Sequence, residues 1–225
     1  FEVNLPDPRW KKVNQEDWSS TWKKYWNPDP IGKKLLILPE WIDPPEIFHG
    51  REIVRIDPGS AFGTGTHPST RLCLEFLERE PLDGLHIGDL GCGSGILALT
   101  AITFGANKAF CVDIDSFAIN STKRNSLINN FGPESIVVSQ GSIDVLHSML
   151  QARSLDLVLC NILAPVIKEL IPNFNKILKK EGFALLSGIL SNQVKDLKKT
   201  LDLYGWKIAR TWQKSNWALI QIDRT

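Results

Sequence analysis

Methionine is almost missing from this 225-residue chain, with Met149 the single example. Phe1 is therefore not expected to be a translation start, and the chain is expected to be a fragment, a processed form or only the ordered part of something longer. Cysteine is scarce too. Cys73, Cys92, Cys111 and Cys160 form no CxxC pair, which argues against a zinc ribbon or a thioredoxin-like site. Unpaired thiols in apolar or glycine-rich segments behave as small hydrophobes and fit a reducing cytoplasm. His49, His67, His86 and His147 show no metal spacing. Charge of one sign is lacking as well. The formal net charge is +1, which gives no electrostatic claim on nucleic acid. The lysine pairs 33–34, 179–180 and 198–199 read as solvated faces. No apolar run reaches the roughly 18 residues of a membrane helix, so no membrane helix is expected, and no signal peptide is expected either. There is no repeat and no low-complexity tract.

What is present suits one large domain with a small appendage. Residues 1–50 stand apart as a Trp- and Pro-rich segment. They carry Trp10, Trp18, Trp22, Trp26 and Trp41, five of the eight tryptophans. Trp18, Trp22 and Trp26 are four apart and would share one face of a short helix capped by Asn14. That stripe packs either on the chain's own main domain or on an absent domain or partner. Two strand-like runs follow, residues 34–38 and 52–56. They are expected to pair as an antiparallel ribbon ahead of the main domain.

From about residue 84 the pattern alternates. Strands are expected at 85–90, 108–113, 135–139, 155–160 and 183–187. Helices are expected at 96–104, 116–130 (capped by Asp115), 165–180 (stopped by Gly182) and 192–204. Apolar strands alternating with helices mean a parallel sheet covered on both faces. The last two strands, 206–211 and 217–222, have too few residues between them for a parallel crossover and must form a hairpin. A doubly wound α/β sheet ending in an antiparallel hairpin is the class I methyltransferase arrangement, with 51–225 as the catalytic domain.

Asp89-Leu90-Gly91-Cys92-Gly93-Ser94-Gly95 sits where the first strand of this alternation gives way to a helix. A tight turn that brings backbone close to a ligand needs glycine. Asp113 ends the next strand, 22 residues after Gly91, near the spacing of a carboxylate that binds ribose hydroxyls. Asp115 competes for that role, but it is better placed as a helix N-cap. The GxGxG loop alone would serve NAD, FAD or S-adenosylmethionine. Its departure from GxGxxG and the C-terminal hairpin favour S-adenosylmethionine, which has no pyrophosphate to receive.

At the end of the fourth strand stands Asn161-Ile162-Leu163-Ala164, a polar residue facing the same crevice. It resembles the Asn-Pro-Pro-Tyr type of motif in amino-directed methyltransferases, where Asn and a nearby carbonyl hold the target nitrogen. The aromatic that stacks a nucleobase there is missing. The plain alternative for Asn161 is a helix N-cap. His67, inside Gly63 to Thr70, is a rival candidate that more simply braces a tight loop through its ring nitrogens. No dedicated base is evident.

Asp57-Pro58-Gly59-Ser60-Ala61-Phe62-Gly63-Thr64-Gly65-Thr66-His67-Pro68-Ser69-Thr70 resembles the signature loop of the PrmA family, the ribosomal protein L11 methyltransferases. Residues 89–95, 112–115, 161–164 and 187–190 match further segments of that family in the same order. Ser69 replaces a Thr common in the family. The resemblance implies that Thr70 and Phe62 contact S-adenosyl-L-methionine from the signature loop and that Gly91, with Gly93, forms the glycine-loop contact. Asp113 would take the ribose, Ile114 would lie beside the adenine, and Asn161 would stand at the methyl-transfer end. It also implies a ribosomal protein L11 substrate, methylated on lysine side chains and the α-amine, and an N-terminal recognition domain not contained in this chain. A cytoplasmic monomer without direct nucleic-acid or membrane contact is expected. A methyltransferase of small molecules or nucleic acid, a nicotinamide oxidoreductase and a non-catalytic cofactor-binding core stay as alternatives.

Overall fold

The computed structural model describes residues 26–57, 65–152 and 154–225. Phe62 and the expected tryptophan helix, apart from a half-buried Trp26, lie outside them.

A three-stranded sheet comes first: β1 (Asp29–Ile31), β2 (Leu35–Pro39) and β3 (Glu52–Ile56), in that order. β1 and β2 are antiparallel, but β2 and β3 run parallel, from Leu35 opposite Glu52 to Pro39 opposite Ile56. The expected antiparallel ribbon is thus corrected. Residues 40–51 include a 3-10 turn at Glu46–Phe48. That stretch is long enough to carry the chain back to the starting end, as a parallel pair requires. The Arg51 guanidinium fixes this return by donating to the carbonyl oxygens of Ile31, Gly32 and Leu35.

Next come α1 (Pro68–Leu77), β4 (His86–Leu90), α2 (Ile96–Thr103), β5 (Lys108–Asp113), α3 (Ser116–Ile128) and β6 (Ile136–Gln140). They are followed by α4 (Ile143–Leu150), β7 (Leu155–Asn161), α5 (Ala164–Leu170), α6 (Phe174–Ile177), β8 (Leu178–Leu190), α7 (Val194–Leu203), β9 (Trp206–Lys214) and β10 (Trp217–Arg224). The main sheet has the order β6-β5-β4-β7-β8-β10-β9. β6, β5, β4, β7 and β8 are parallel, and β10 inserts antiparallel to both β8 and β9. This is the expected doubly wound methyltransferase sheet with its terminal hairpin.

Alternation along each strand makes two cores. Ala109, Cys111, Leu157, Leu159 and Leu185 face the layer of α1, α2 and the small sheet. Phe110, Val112, Val158, Cys160, Ala184 and Leu186 face the layer of α4 to α7. Successive side chains of a strand point to opposite faces, so a strand buried on both sides must be apolar throughout. Ile31, Leu35, Ile37, Val54 and Ile56 join the first core, which ties the small sheet to the catalytic fold.

One helix differs from expectation. The 165–180 segment breaks into α5, a 3-10 turn at Ile171–Asn173, and α6 ending at Ile177. Pro172 has no N–H to donate to the Lys168 carbonyl, so the helical hydrogen-bond ladder is interrupted there although Ile171 keeps helical backbone. Leu178 then enters β8 opposite Leu155, so Gly182 lies inside a strand rather than stopping a helix. α1, α4 and β1 were not anticipated.

Candidate active site

β4, β5 and β6 step away from the sheet centre in one direction, while β7 and β8 step in the other. The order therefore reverses between β4 and β7. Open α/β sheets bind ligands outside the carboxyl ends of the strands at such a point. A cavity of ≈ 580 Å³ lies there, within the usual range for a small-molecule site. Leu90, Gly91 and Gly93 line it from the end of β4, and Val112, Asp113 and Ile114 from the end of β5. Gly141 and Ser142 follow β6, Asn161 to Leu163 close β7, and Gly188 and Trp217 come from β8 and β10.

The glycine loop turns as the sequence requires. Gly91 and Gly93 have φ of +76° and +56°. A Cβ on Gly91 would sit 2.4 Å from Ile162 Cγ2, so the loop closes against the residue after Asn161. The N–H groups of Gly91 and Cys92 both donate to the Val112 carbonyl, at 2.9 and 3.1 Å. Gly93 N–H donates to Asp113 Oδ2 at 3.0 Å, and Asp115 N–H donates to Asp113 Oδ1 at 3.0 Å. Those two bonds fix the Asp113 carboxylate at the cavity wall. Each oxygen keeps a lone pair, because an ionised carboxylate offers about four acceptor sites. Asp115 is the N-cap of α3 and accepts from Phe117 N–H at 2.9 Å, as expected.

Asp89 lies beneath the loop, 1% exposed. Its Oδ2 accepts from Ala98 N–H at 3.2 Å, while Oδ1 has no partner. Burial pushes its carboxyl up to about 7, and the Asp113 charge adds to this.

At the other end Asn161 Nδ2 donates to Thr70 Oγ1 at 3.1 Å. Asn161 Oδ1 is buried and has no partner. Thr70 does not itself line the cavity; it is buried in the first turn of α1 and reaches the site through Asn161. The N-cap of α5 is Leu163, and no side chain caps that helix, so Asn161 is not spent on capping. His67 caps α1: Ser69 N–H reaches its Nδ1 at 3.3 Å, and the Ser69 hydroxyl lies 2.7 Å from the same nitrogen. Its ring meets Trp217 edge-on, with centroids 4.6 Å apart. The bracing role for His67 is therefore present, on a residue that also lines the cavity.

The expected residues Gly91, Gly93, Asp113, Ile114 and Asn161 converge on this one cavity. The profile of the family described as "Ribosomal protein L11 methyltransferase (PrmA)" matches residues 1–225. The chain belongs to this family. A Prochlorococcus marinus ribosomal protein L11 methyltransferase is 46% identical over 224 residues, covering 100% of this chain and 74% of its own length. The Parasynechococcus marenigrum protein of that name is 47% identical, with 100% and 78% covered. The crystal structure of ribosomal protein L11 methylase from Lactobacillus delbrueckii subsp. bulgaricus superposes with TM-score 0.77 and 29% identity, covering 89% of this chain and 100% of that one. The B. subtilis M1A22 tRNA methyltransferase TrmK matches with TM-score 0.53 at 15% identity, over 68% of this chain and 67% of that one, and shares the fold alone.

His67, the rival candidate, and Ser69 of the signature loop also line the cavity, and Gly141, Ser142 and Trp217 add lining that the motifs did not point to. Trp217 carried one signal, an aromatic opening the final strand. Only the insertion of β10 beside β8 brings it to the cavity. Among the described residues no cluster suits a metal ion. No described helix is long and apolar enough to cross a membrane.

Proposed function

We propose that the chain transfers methyl groups from S-adenosyl-L-methionine to amino groups of ribosomal protein L11, on lysine side chains and the α-amine. Membership of the family supports the reaction and the substrate. The observation that carries the amine is the unpartnered Asn161 Oδ1 in the cavity wall. A buried acceptor without a donor costs free energy, and an N–H of an incoming amine removes that cost.

The residues fit the cofactor. Gly91 and Gly93 open a backbone cradle, and Asp113 offers fixed acceptors to ribose hydroxyls. Ile114 stands 76% exposed at the rim, as an apolar face for the adenine. When bound, S-adenosylmethionine supplies a sulfonium-activated methyl. Thr70 acts by holding the Asn161 amide, and Phe62 is the further signature-loop residue that the family resemblance assigns to the cofactor.

A lysine amine with its pKa near 10.4 is only about 0.04% neutral at pH 7. The site must select and aim that neutral form. Asn161 Oδ1 accepts one N–H, which turns the nitrogen lone pair toward the cavity. Trp217 supplies an apolar wall that disfavours the hydrated ammonium. Alignment of reacting groups is the largest contribution such a site can make.

The same reading has the enzyme acting as a cytoplasmic monomer on a protein, with the near-neutral charge giving no hold on nucleic acid. The test is to incubate the chain with purified ribosomal protein L11 and methyl-labelled cofactor. Label on L11 amines supports the reading. Label on a small metabolite or RNA in place of L11 overturns it.

A further inference from the structure

α3 presents two fully buried polar side chains, Thr122 and Asn125, to the glycine loop. Polar groups are buried at a cost unless they are paired, and both are paired to the loop's carbonyl oxygens. Thr122 Oγ1 donates to Gly93 O at 2.9 Å, and Asn125 Nδ2 donates to Ser94 O at 2.8 Å. One helix face thus fixes two consecutive peptide planes of the loop. Turning either plane would also swing the N–H groups on its other side, including the Gly93–Ser94 peptide beside the cavity.

Asn125 does more than hold the loop. Its Oδ1 accepts from the backbone N–H of Asp57, at 2.9 Å, where β3 ends. One amide therefore bridges the glycine loop to the small sheet. Asn129, one turn later at the C-cap of α3, continues the pattern. It accepts from Arg55 N–H at 2.8 Å and donates to Arg55 O at 2.7 Å. The pair mimics a neighbouring strand along the edge of β3, a row of groups otherwise left without partners. Arg124, the residue before Asn125, adds ion pairs to Asp57 (2.7 Å) and Glu40 (2.8 Å).

We propose that Asn125 is a positioning residue for methyl transfer, with Thr122 beside it: it sets the cofactor loop at a fixed place relative to the end of β3 without touching the cofactor. The inference rests on the reading of the cavity as the S-adenosylmethionine site. The backbone bonds of Gly91 and Cys92 to Val112, of Gly93 to Asp113 Oδ2 and of Gly95 to Cys92 hold the loop through its N–H groups, and α3 holds it through the carbonyl oxygens of Gly93 and Ser94.

Four proteins test it: wild type, Asn125→Asp, Thr122→Val and Thr122→Ser. Asn125→Asp keeps the acceptor for Asp57 N–H and loses the donor to Ser94 O. Thr122→Val removes the hydroxyl at nearly constant shape, and Thr122→Ser keeps it. Calorimetric titration with S-adenosylhomocysteine is run well below each melting temperature, and the urea midpoint is measured alongside. The proposal expects Asn125→Asp and Thr122→Val to bind about tenfold more weakly while folded, the loss for one hydrogen bond of ordinary worth, with Thr122→Ser close to wild type. Lower urea midpoints with wild-type affinity in both variants would overturn it and leave a purely structural role. Absence of binding by the wild type would instead overturn the cofactor reading on which it rests. If Asn125→Asp does not fold, the comparison of Thr122→Val with Thr122→Ser decides.

Discussion

Asn161 donates to Thr70 through Nδ2, at 3.1 Å, and leaves its Oδ1 buried at the cavity wall without a partner. The hydroxyl of one helix thereby dictates which way the amide at the end of another element faces. Asn161→Ala removes the acceptor for the substrate amine. Turnover should fall by about a hundredfold, and cofactor affinity should stay within about threefold, because lost alignment acts on the chemical step. Thr70→Val leaves the amide in place but unheld and should cost about tenfold in turnover. Steady-state kinetics with calorimetry would separate the two, and equal losses of affinity and turnover would rule the roles out.

Asp113 is fixed by Gly93 and Asp115 N–H groups and offers its remaining lone pairs to the ribose. Asp113→Ala should weaken cofactor binding by about 1–3 kcal/mol, the usual worth of hydrogen bonds to a charged group. Calorimetry reads this directly. An unchanged affinity would place the ribose partner elsewhere.

Asp89 gives the fold a pH dependence. Its carboxyl is raised from 3.8 to about 7 by burial. Between those values the unfolded chain releases the proton while the folded one keeps it. Stability should therefore fall as pH rises from about 4 to 7, by on the order of 4 kcal/mol when complete. Asp89→Asn keeps an acceptor for Ala98 N–H and cannot ionise, so its advantage over wild type should grow from pH 5 to pH 8. Urea midpoints at both pH values check this. A constant difference would show that Asp89 does not titrate in that range.

Gly188 adopts φ of +74°, and a Cβ there would stand 2.4 Å from the Ile162 carbonyl oxygen. Gly188→Ala should cost at least about 1–2 kcal/mol for the left-handed conformation alone. It should also shift the backbone after Asn161 and lower turnover. A variant with wild-type melting and kinetics would contradict this tight seam between β7 and β8.

Much of this was readable from residue order. Strands 108–113 and 155–160, the Asp115 cap and the hairpin followed from local pattern, because buried parallel strands are apolar on both faces. Gly91, Gly93, Asp113 and Asn161 followed from strand ends. What was not readable depends on distant pairing. The parallel union of β2 and β3 is set by the crossover through Arg51, which no local pattern reveals. The break at Pro172 was hidden by an apolar run whose second half completes β8. Trp217 and Asn125 join the site only because β10 lies beside β8 and α3 lies against β3.

The most direct test of the central claim is calorimetric titration of this chain with S-adenosylmethionine and, separately, with NAD. The account predicts micromolar binding of S-adenosylmethionine, weakened in Asp113→Ala, and no binding of NAD. Binding of NAD without S-adenosylmethionine would contradict it and return the GxGxG loop to a dinucleotide.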